Sequence, residues 1–472
     1  MLNKLIFKYI GKVLIAFSIL LLVPIIVSLV YSENILNFIV PLCVSLGLGI
    51  LLNCSNSSKK TLYAKDGFII VSISWILISL LGALPFWLGL DISFVDALFE
   101  SVSGFTTTGA TIFDDVESLS NSILFWRSFS HFIGGMGVLA FVMAVIPMSK
   151  DDKSMHVLKA EMPGHSVAKL VPGIKKTLFY LYGIYLGLTL IEFILLMVGG
   201  LDPFHSILIS MGTAGTGGFS YLNSGLASFS LFNKYVVAIF MFLFGVNFNI
   251  YFLIIIMKDI KTALKSEELK VYILIYIFAV LFVLLNTYNM FSNMSEAFVN
   301  SCFHISSFMT STGYSIGDVN IYPAACRIIV LFLMLVSACS GSTCGGFKIS
   351  RLILVFKTIK RDLLKVFHPN SVHIITLGGK KVEEETVNAT TTFLSLYIFF
   401  IIIIMILVSF DGFSFEVVIN SVFTTFGNVG LAFEVGSFSI FSDFSTFIMS
   451  VGMLLGRLEI FPLIGLISSI RK

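Results

Sequence analysis

The sequence predicts an all-α polytopic membrane protein: four pseudo-symmetric helix–pore-loop–helix repeats around a central pore, plus two N-terminal transmembrane helices. Composition is the first observation behind this, with 57% hydrophobic and only 12% charged residues in 472 and a mean hydropathy of +0.98, outside the range of soluble domains. The second is a motif that occurs four times, in which a short apolar stretch runs into a Thr/Ser/Gly-rich hairpin and then into a long apolar helix. The third is where those hairpins lie. They are too polar and glycine-rich to face lipid, and irregular backbone at membrane depth is tolerated only when buried in protein or lining a water-filled cavity.

Apolar segments long enough to cross read as 10–30, 35–52, 67–90, 123–147, 178–198, 235–257, 271–290, 322–357 in two pieces, 390–408 and 445–468. Ten crossings put both termini on one side. The first run has no small-residue cleavage site after it and reads as a retained span, not a signal peptide. Of the 30 Lys and Arg residues, 25 fall in the N-terminus, the C-terminus and the connections 53–66, 148–176, 258–270 and 351–381. By the positive-inside rule that face is cytoplasmic, with both termini inside; the expected location is the plasma (inner) membrane. The opposite face gathers acidic residues, among them Asp91, Glu100, Asp114, Glu117, Asp318 and Glu434, as an outer mouth that concentrates cations.

The repeat unit is a spanning helix, a half-length helix, a hairpin and a second spanning helix. The hairpins end at Gly109, Gly218, Gly313 and Gly430, spaced by 109, 95 and 117 residues. The chain accordingly divides into 1–66 (two leading helices), 67–150, 151–265, 266–380 and 381–472 (repeats 1 to 4). Half-helices near 93–104, 203–212, 295–309 and 413–424 are too short for a bilayer of about 30 Å, so they enter from outside and stop midway. Asp96, Asp202, Glu296 and Glu416 stand at their starts, where a carboxylate complements the helix dipole. Four C-terminal ends, each carrying a partial charge of roughly −0.5, then converge on the centre and favour a cation. Hairpin carbonyls can replace the ion's water, and glycine allows the backbone angles this needs. The candidate selectivity filter is therefore Thr107, Thr108 and Gly109; Thr216, Gly217 and Gly218; Ser311, Thr312 and Gly313; and Asn428, Val429 and Gly430, with a monovalent cation as their metal.

Longer motifs resemble the Trk/Ktr/HKT superfamily of potassium transporters, and within it the Trk-type (TrkH-like) membrane subunit. They are Trp126-Arg127 with His131-Phe132-Ile133-Gly134-Gly135-Met136-Gly137, Leu158 to Gly164 with Lys169-Leu170-Val171-Pro172, Gly245 to Asn249, Ser340 to Lys348 with His368-Pro369, and Leu454 to Glu459. The resemblance implies potassium uptake, K+ as transported ion with no covalent cofactor, one filter glycine per repeat, a homodimer, and a cytoplasmic nucleotide-binding regulatory subunit (TrkA-like). In plant relatives a serine at the first of these glycines accompanies sodium permeation; all four are glycine here. Leu431 stands where Trk members often have Pro, and Tyr314 where Phe is common. The expected partners are thus potassium, the lipid bilayer, the regulatory subunit and a second copy, with no nucleic acid.

The run 339–346 interrupts the apolar segment between 328 and 357. It lacks the Gly-Lys-Ser/Thr ending and strand-helix context of a phosphate loop. A packing kink is one reading; a gate formed by Gly341, Ser342, Thr343, Gly345 and Gly346 below the filter is the other, and the resemblance favours it. Arg457 lies 14 residues from both Asp443 and Arg471, about 21 Å from either edge at 1.5 Å per residue, too far to snorkel. It is expected beside the permeation path next to the 339–346 loop as part of the gate, or else in a structural pair with Glu192 or carbonyls. Lys348 is expected to snorkel toward the cytoplasm. His131, His205 and His304 have no ligand partners at i+3 or i+4. A sodium- or proton-coupled symporter on the same fold is the alternative function. A membrane enzyme would need interfacial acid or histidine clusters that the sequence lacks.

Overall fold

The computed structural model describes residues 4–54, 64–137, 174–369 and 373–470. The Leu158–Pro172 motif lies outside them. Lys4–Leu20 and Leu22–Val30 form one span, and Leu36–Asn53 returns beside it. The two backbones come close at a small-residue contact, since a Cβ on Gly11 would lie 2.7 Å from the Gly49 carbonyl oxygen. This pair packs on the first repeat through Trp126. The Trp126 indole donates to the Gly82 carbonyl at 3.1 Å, and Phe17, Phe38 and Phe105 meet its faces at centroid distances of 6.2, 6.0 and 5.8 Å.

Four units then follow one pattern. The outer spans are Ala64–Gly89, Ile174–Val198, Glu267–Thr287 and Glu384–Val408. The half-helices are Phe94–Phe105, Pro203–Gly215, Met294–Met309 and Phe415–Phe426. Twelve residues of helix reach about 18 Å, little more than half a bilayer. Their outer ends are capped from their own sequence. Ser93, Asp202 and Ser414 accept first-turn amides, and Asp96, Glu296 and Glu416 sit in first turns.

The inner helices differ from the expected spans, of which only the third was read in two pieces: within the described residues the first ends, and the other three break, just below the hairpins. Asn121–Gly135 stops at Met136 and Gly137, the latter at φ 81. Leu231–Phe244 and Phe248–Ile255 meet at a 95° bend, so 235–257 is not one span. Ala324–Leu335 gives way to non-helical chain from 336 to 348, wider than expected, before Ile349–Phe367 resumes as an amphipathic basic helix. Asp443–Arg457 ends before Phe461–Ile470, with Glu459 and Ile460 at φ 56 and 63. A two-stranded hairpin, Thr376–Leu377 with Lys380–Lys381, precedes the fourth unit.

Candidate ion pathway

Each half-helix unwinds the same way. The amide of the residue before the glycine donates to the carbonyl five positions back: Thr108 to Ser103, Gly217 to Gly212, Thr312 to Ser307 and Val429 to Thr424, at 2.8, 2.9, 2.8 and 2.8 Å. That bond needs a left-handed residue inside it. Thr107, Thr216, Ser311 and Asn428 supply it at φ 56, 54, 51 and 56. A β-branched residue at such an angle persists only where its surroundings over-determine it. Two residues later Gly109, Gly218, Gly313 and Gly430 are again left-handed, at φ 82, 76, 84 and 84.

The four hairpins close a ring. A Cβ on Gly109 would lie 1.9 Å from the Gly217 carbonyl oxygen, one on Gly218 1.9 Å from that of Thr312, one on Gly313 1.9 Å from that of Val429, and one on Gly430 2.2 Å from that of Thr108. Every glycine thus backs onto the carbonyl of the next hairpin, in the order one, two, three, four, one. All twelve residues named from the sequence as filter lie in this ring. Hydroxyls brace it from behind: Thr106 to Thr108 at 2.8 Å and Thr310 to Thr312 at 2.7 Å. The Asn428 amide ties the fourth hairpin to the first, donating to Thr108 Oγ1 and to the Met453 carbonyl, both at 3.0 Å. A cavity of about 150 Å³ opens above the ring, lined by Gly109, Gly218 and Gly313 with Asp114 and Arg127.

Directly beneath, the broken third inner helix reaches the hairpins. The Gly345 amide donates to Ser311 Oγ at 3.1 Å. Cys339 donates to the Gly245 carbonyl at 3.1 Å, and Phe248 to the Gly341 carbonyl at 3.1 Å, so this loop and the bend of the second inner helix hold each other. From the start of the third unit's outer span Glu268 accepts the Ser340 amide at 2.7 Å. Arg457 approaches from the fourth unit and donates to the carbonyls of Thr343 at 2.6 Å, Gly134 at 2.6 Å and Gly135 at 2.9 Å. The structure therefore brings Arg457 together with the 341–346 loop and with the end of the first inner helix. Glu192, the alternative partner, is fully buried next to Thr213 and makes no salt bridge with Arg457 among the described residues.

Two expectations are corrected here. Lys348 does not snorkel: it is 7% exposed and donates to the carbonyls of Cys344 and Gly345 within the loop. Glu100 does not line the outer mouth: it is wholly buried and paired with Arg127 at 2.7 Å. Sequence reading missed Asn247, Glu268 and the Glu100–Arg127 pair. Asn247 was visible as a helix cap, since its side chain accepts the Asn249 amide at 2.9 Å. Nothing local marks the other contacts, which join residues 72 and 27 positions apart. Glu459, at the fourth break, pairs with Arg351, whose guanidinium lies 4.2 Å from the Phe393 ring.

Comparison with known proteins agrees with this architecture. Residues 32–470 match the TrkH family, described as cation transport protein. The chain is 32% identical to the Trk system potassium uptake protein TrkG of Escherichia coli K12, over 96% of this chain and 95% of that one. It is 30% identical to TrkH of the same organism, over 97% of each. The crystal structure of the potassium transporter TrkH from Vibrio parahaemolyticus superposes with a TM-score of 0.88 at 29% identity, covering 98% of this chain and 97% of that one. The chain belongs to the TrkH family of membrane cation transporters and is not an enzyme.

Proposed function

We propose that this protein carries potassium inward across the plasma (inner) membrane through the ring of four hairpins, which is its selectivity filter. The observation that carries this reading is the closed ring itself, four left-handed glycines each backed by a neighbour's carbonyl. Four half-helix C-termini point the same negative dipole end at it. Each of the repeats 67–150, 151–265, 266–380 and 381–472 contributes one hairpin. Flux is governed by the loop 336–348 and Arg457, under a cytoplasmic nucleotide-binding regulatory subunit (TrkA-like), in a homodimer with both termini inside. Supporting the gate, the loop lies under the ring, is largely buried, and is tied by hydrogen bonds to four other parts of the fold, one each to Glu268, Ser311 and Arg457 and more than one to the bend of the second inner helix. The names of the similar proteins, Trk system potassium uptake, support the choice of ion.

Rescue of a potassium-uptake-deficient bacterium at low potassium, with the regulatory subunit supplied, tests this. Growth is expected with the parent, and sodium-sensitive growth with Gly109→Ser. No rescue by protein that is present in the membrane refutes it.

A further inference from the structure

The ring of glycines is fourfold, but the loops just outside it are not. Nine residues before the four glycines stand Glu100, Ile209, His304 and Ser421. In the first repeat Glu100 Oε2 accepts the amide of Ile112, three residues after its glycine, at 3.2 Å. In the third, His304 Nε2 accepts the amide of Ile316, again three after its glycine, at 3.3 Å. One brace is thus built twice from unlike side chains, in repeats that face each other across the ring.

An arginine joins each of these two repeats to the next. Arg127 Nε donates to Glu100 at 2.7 Å and Nη1 to the Ser220 carbonyl at 2.9 Å, two residues past the second glycine. Its guanidinium lies 4.1 Å from the Phe219 ring. In the third repeat the link is indirect: Arg327 donates to the Tyr322 carbonyl at 3.0 Å, the Tyr322 hydroxyl lies 2.6 Å from His304 Nδ1, and Arg327 also donates to Glu434 of the fourth repeat at 3.0 Å with its guanidinium 5.5 Å from Phe433. Repeats one and three supply the anchors; two and four receive them.

We propose that Glu100 with Arg127, and His304 in the third repeat, are positioning residues that hold the outer loops at a fixed spacing and so set the preference for potassium over sodium. This rests on the filter reading above. A fully buried ion pair is a poor way to gain stability, because desolvation offsets most of the attraction. Its multiple bonds do fix geometry, since the fork of Arg127 joins the loops of two repeats at once. Whether a carbonyl cage discriminates by size or by the field of its dipoles, discrimination falls when the cage can contract around a smaller ion.

The test is paired potassium and sodium flux into vesicles holding the full-length chain at matched amounts of assembled protein. A merely structural defect lowers both fluxes together, so the ratio is the readout. Glu100→Gln, which keeps the shape and removes the charge, is expected to lower the potassium-to-sodium ratio about tenfold. His304→Phe, which leaves the charged pair intact, should lower it in the same sense. Both variants assembling with the parental ratio overturns the proposal. Should Glu100→Gln fail to assemble, His304→Phe decides alone: a fallen ratio supports the proposal and an unchanged one overturns it. A parent that carries no potassium, or does not prefer it, refutes the filter reading instead, and this inference falls with it.

Discussion

Arg457→Gln should convert a tightly closed pore into a leaky one. Three carbonyls receive the Arg457 guanidinium, and one of them, on Thr343, belongs to the loop under the ring. The other two, on Gly134 and Gly135, are at the end of the first inner helix. The arginine therefore joins the loop to the first repeat, and in the proposed gate this bridge holds the loop across the path. A hydrogen bond from a charged donor contributes about 1.5–3 kcal/mol. If the Thr343 bond exists only when the loop is in place, its loss shifts the closed-to-open equilibrium by roughly ten- to a hundredfold. The assay is single-channel recording without regulatory input. Arg457→Lys separates two causes, because lysine keeps the charge but its single ammonium cannot bridge loop and helix as the fork does. If the bridge matters, the lysine variant leaks as the glutamine variant does; if charge alone matters, it stays closed. An assembled Arg457→Gln protein with unchanged open probability refutes the gating role.

Other outcomes follow from the same contacts. Gly313→Ala must place a Cβ 1.9 Å from the Val429 oxygen at φ 84, and rescue at low potassium should be lost while the protein still reaches the membrane. Glu268→Gln weakens the hold on the Ser340 amide, and vesicle flux without the regulatory subunit should rise severalfold. Deleting 341–346 should raise flux further; unchanged flux would make the loop a packing kink. At Asp202 burial raises the carboxyl pKa, but the His205 ring and the amides of Phe204 and His205 outweigh it and hold it below the ordinary value. Its cap is then fully present above the ordinary carboxylate pKa of about 3.9 and is lost as external pH falls through the depressed one. Asp202→Asn should flatten the loss of thermal stability on acidification in that range.

The fold class was legible because its demands leave local marks. A chain reversal at mid-membrane needs glycine, and a half-helix beginning at the surface needs a cap, so Gly109 or Asp202 can be read without knowing any partner. The break at 458–460 left no such mark, and that at 245–247 only Gly245 and the capping Asn247. Their flanks stay apolar and contain no proline before Pro462, so hydropathy runs through them. The second break is instead held from outside, by the bonds of Gly245 and Phe248 to Cys339 and Gly341. Glu459 was the one signal at the fourth break, a carboxylate inside an apolar run whose partner Arg351 comes from the third repeat. Glu100 misled for the same reason: its acidity is a property of the residue, whereas its burial against Arg127 is a property of the assembled bundle.

The glycine ring has a handedness. Gly109 presses on the second hairpin and Gly430 on the first, while the reverse contacts are not of this kind. A side chain added at one glycine therefore distorts the hairpin ahead of it before the one behind. The four repeats are not interchangeable neighbours but teeth meshed in one rotational sense. Paired substitutions at adjacent glycines should be non-additive, and the positions substituted decide which hairpins bear the strain.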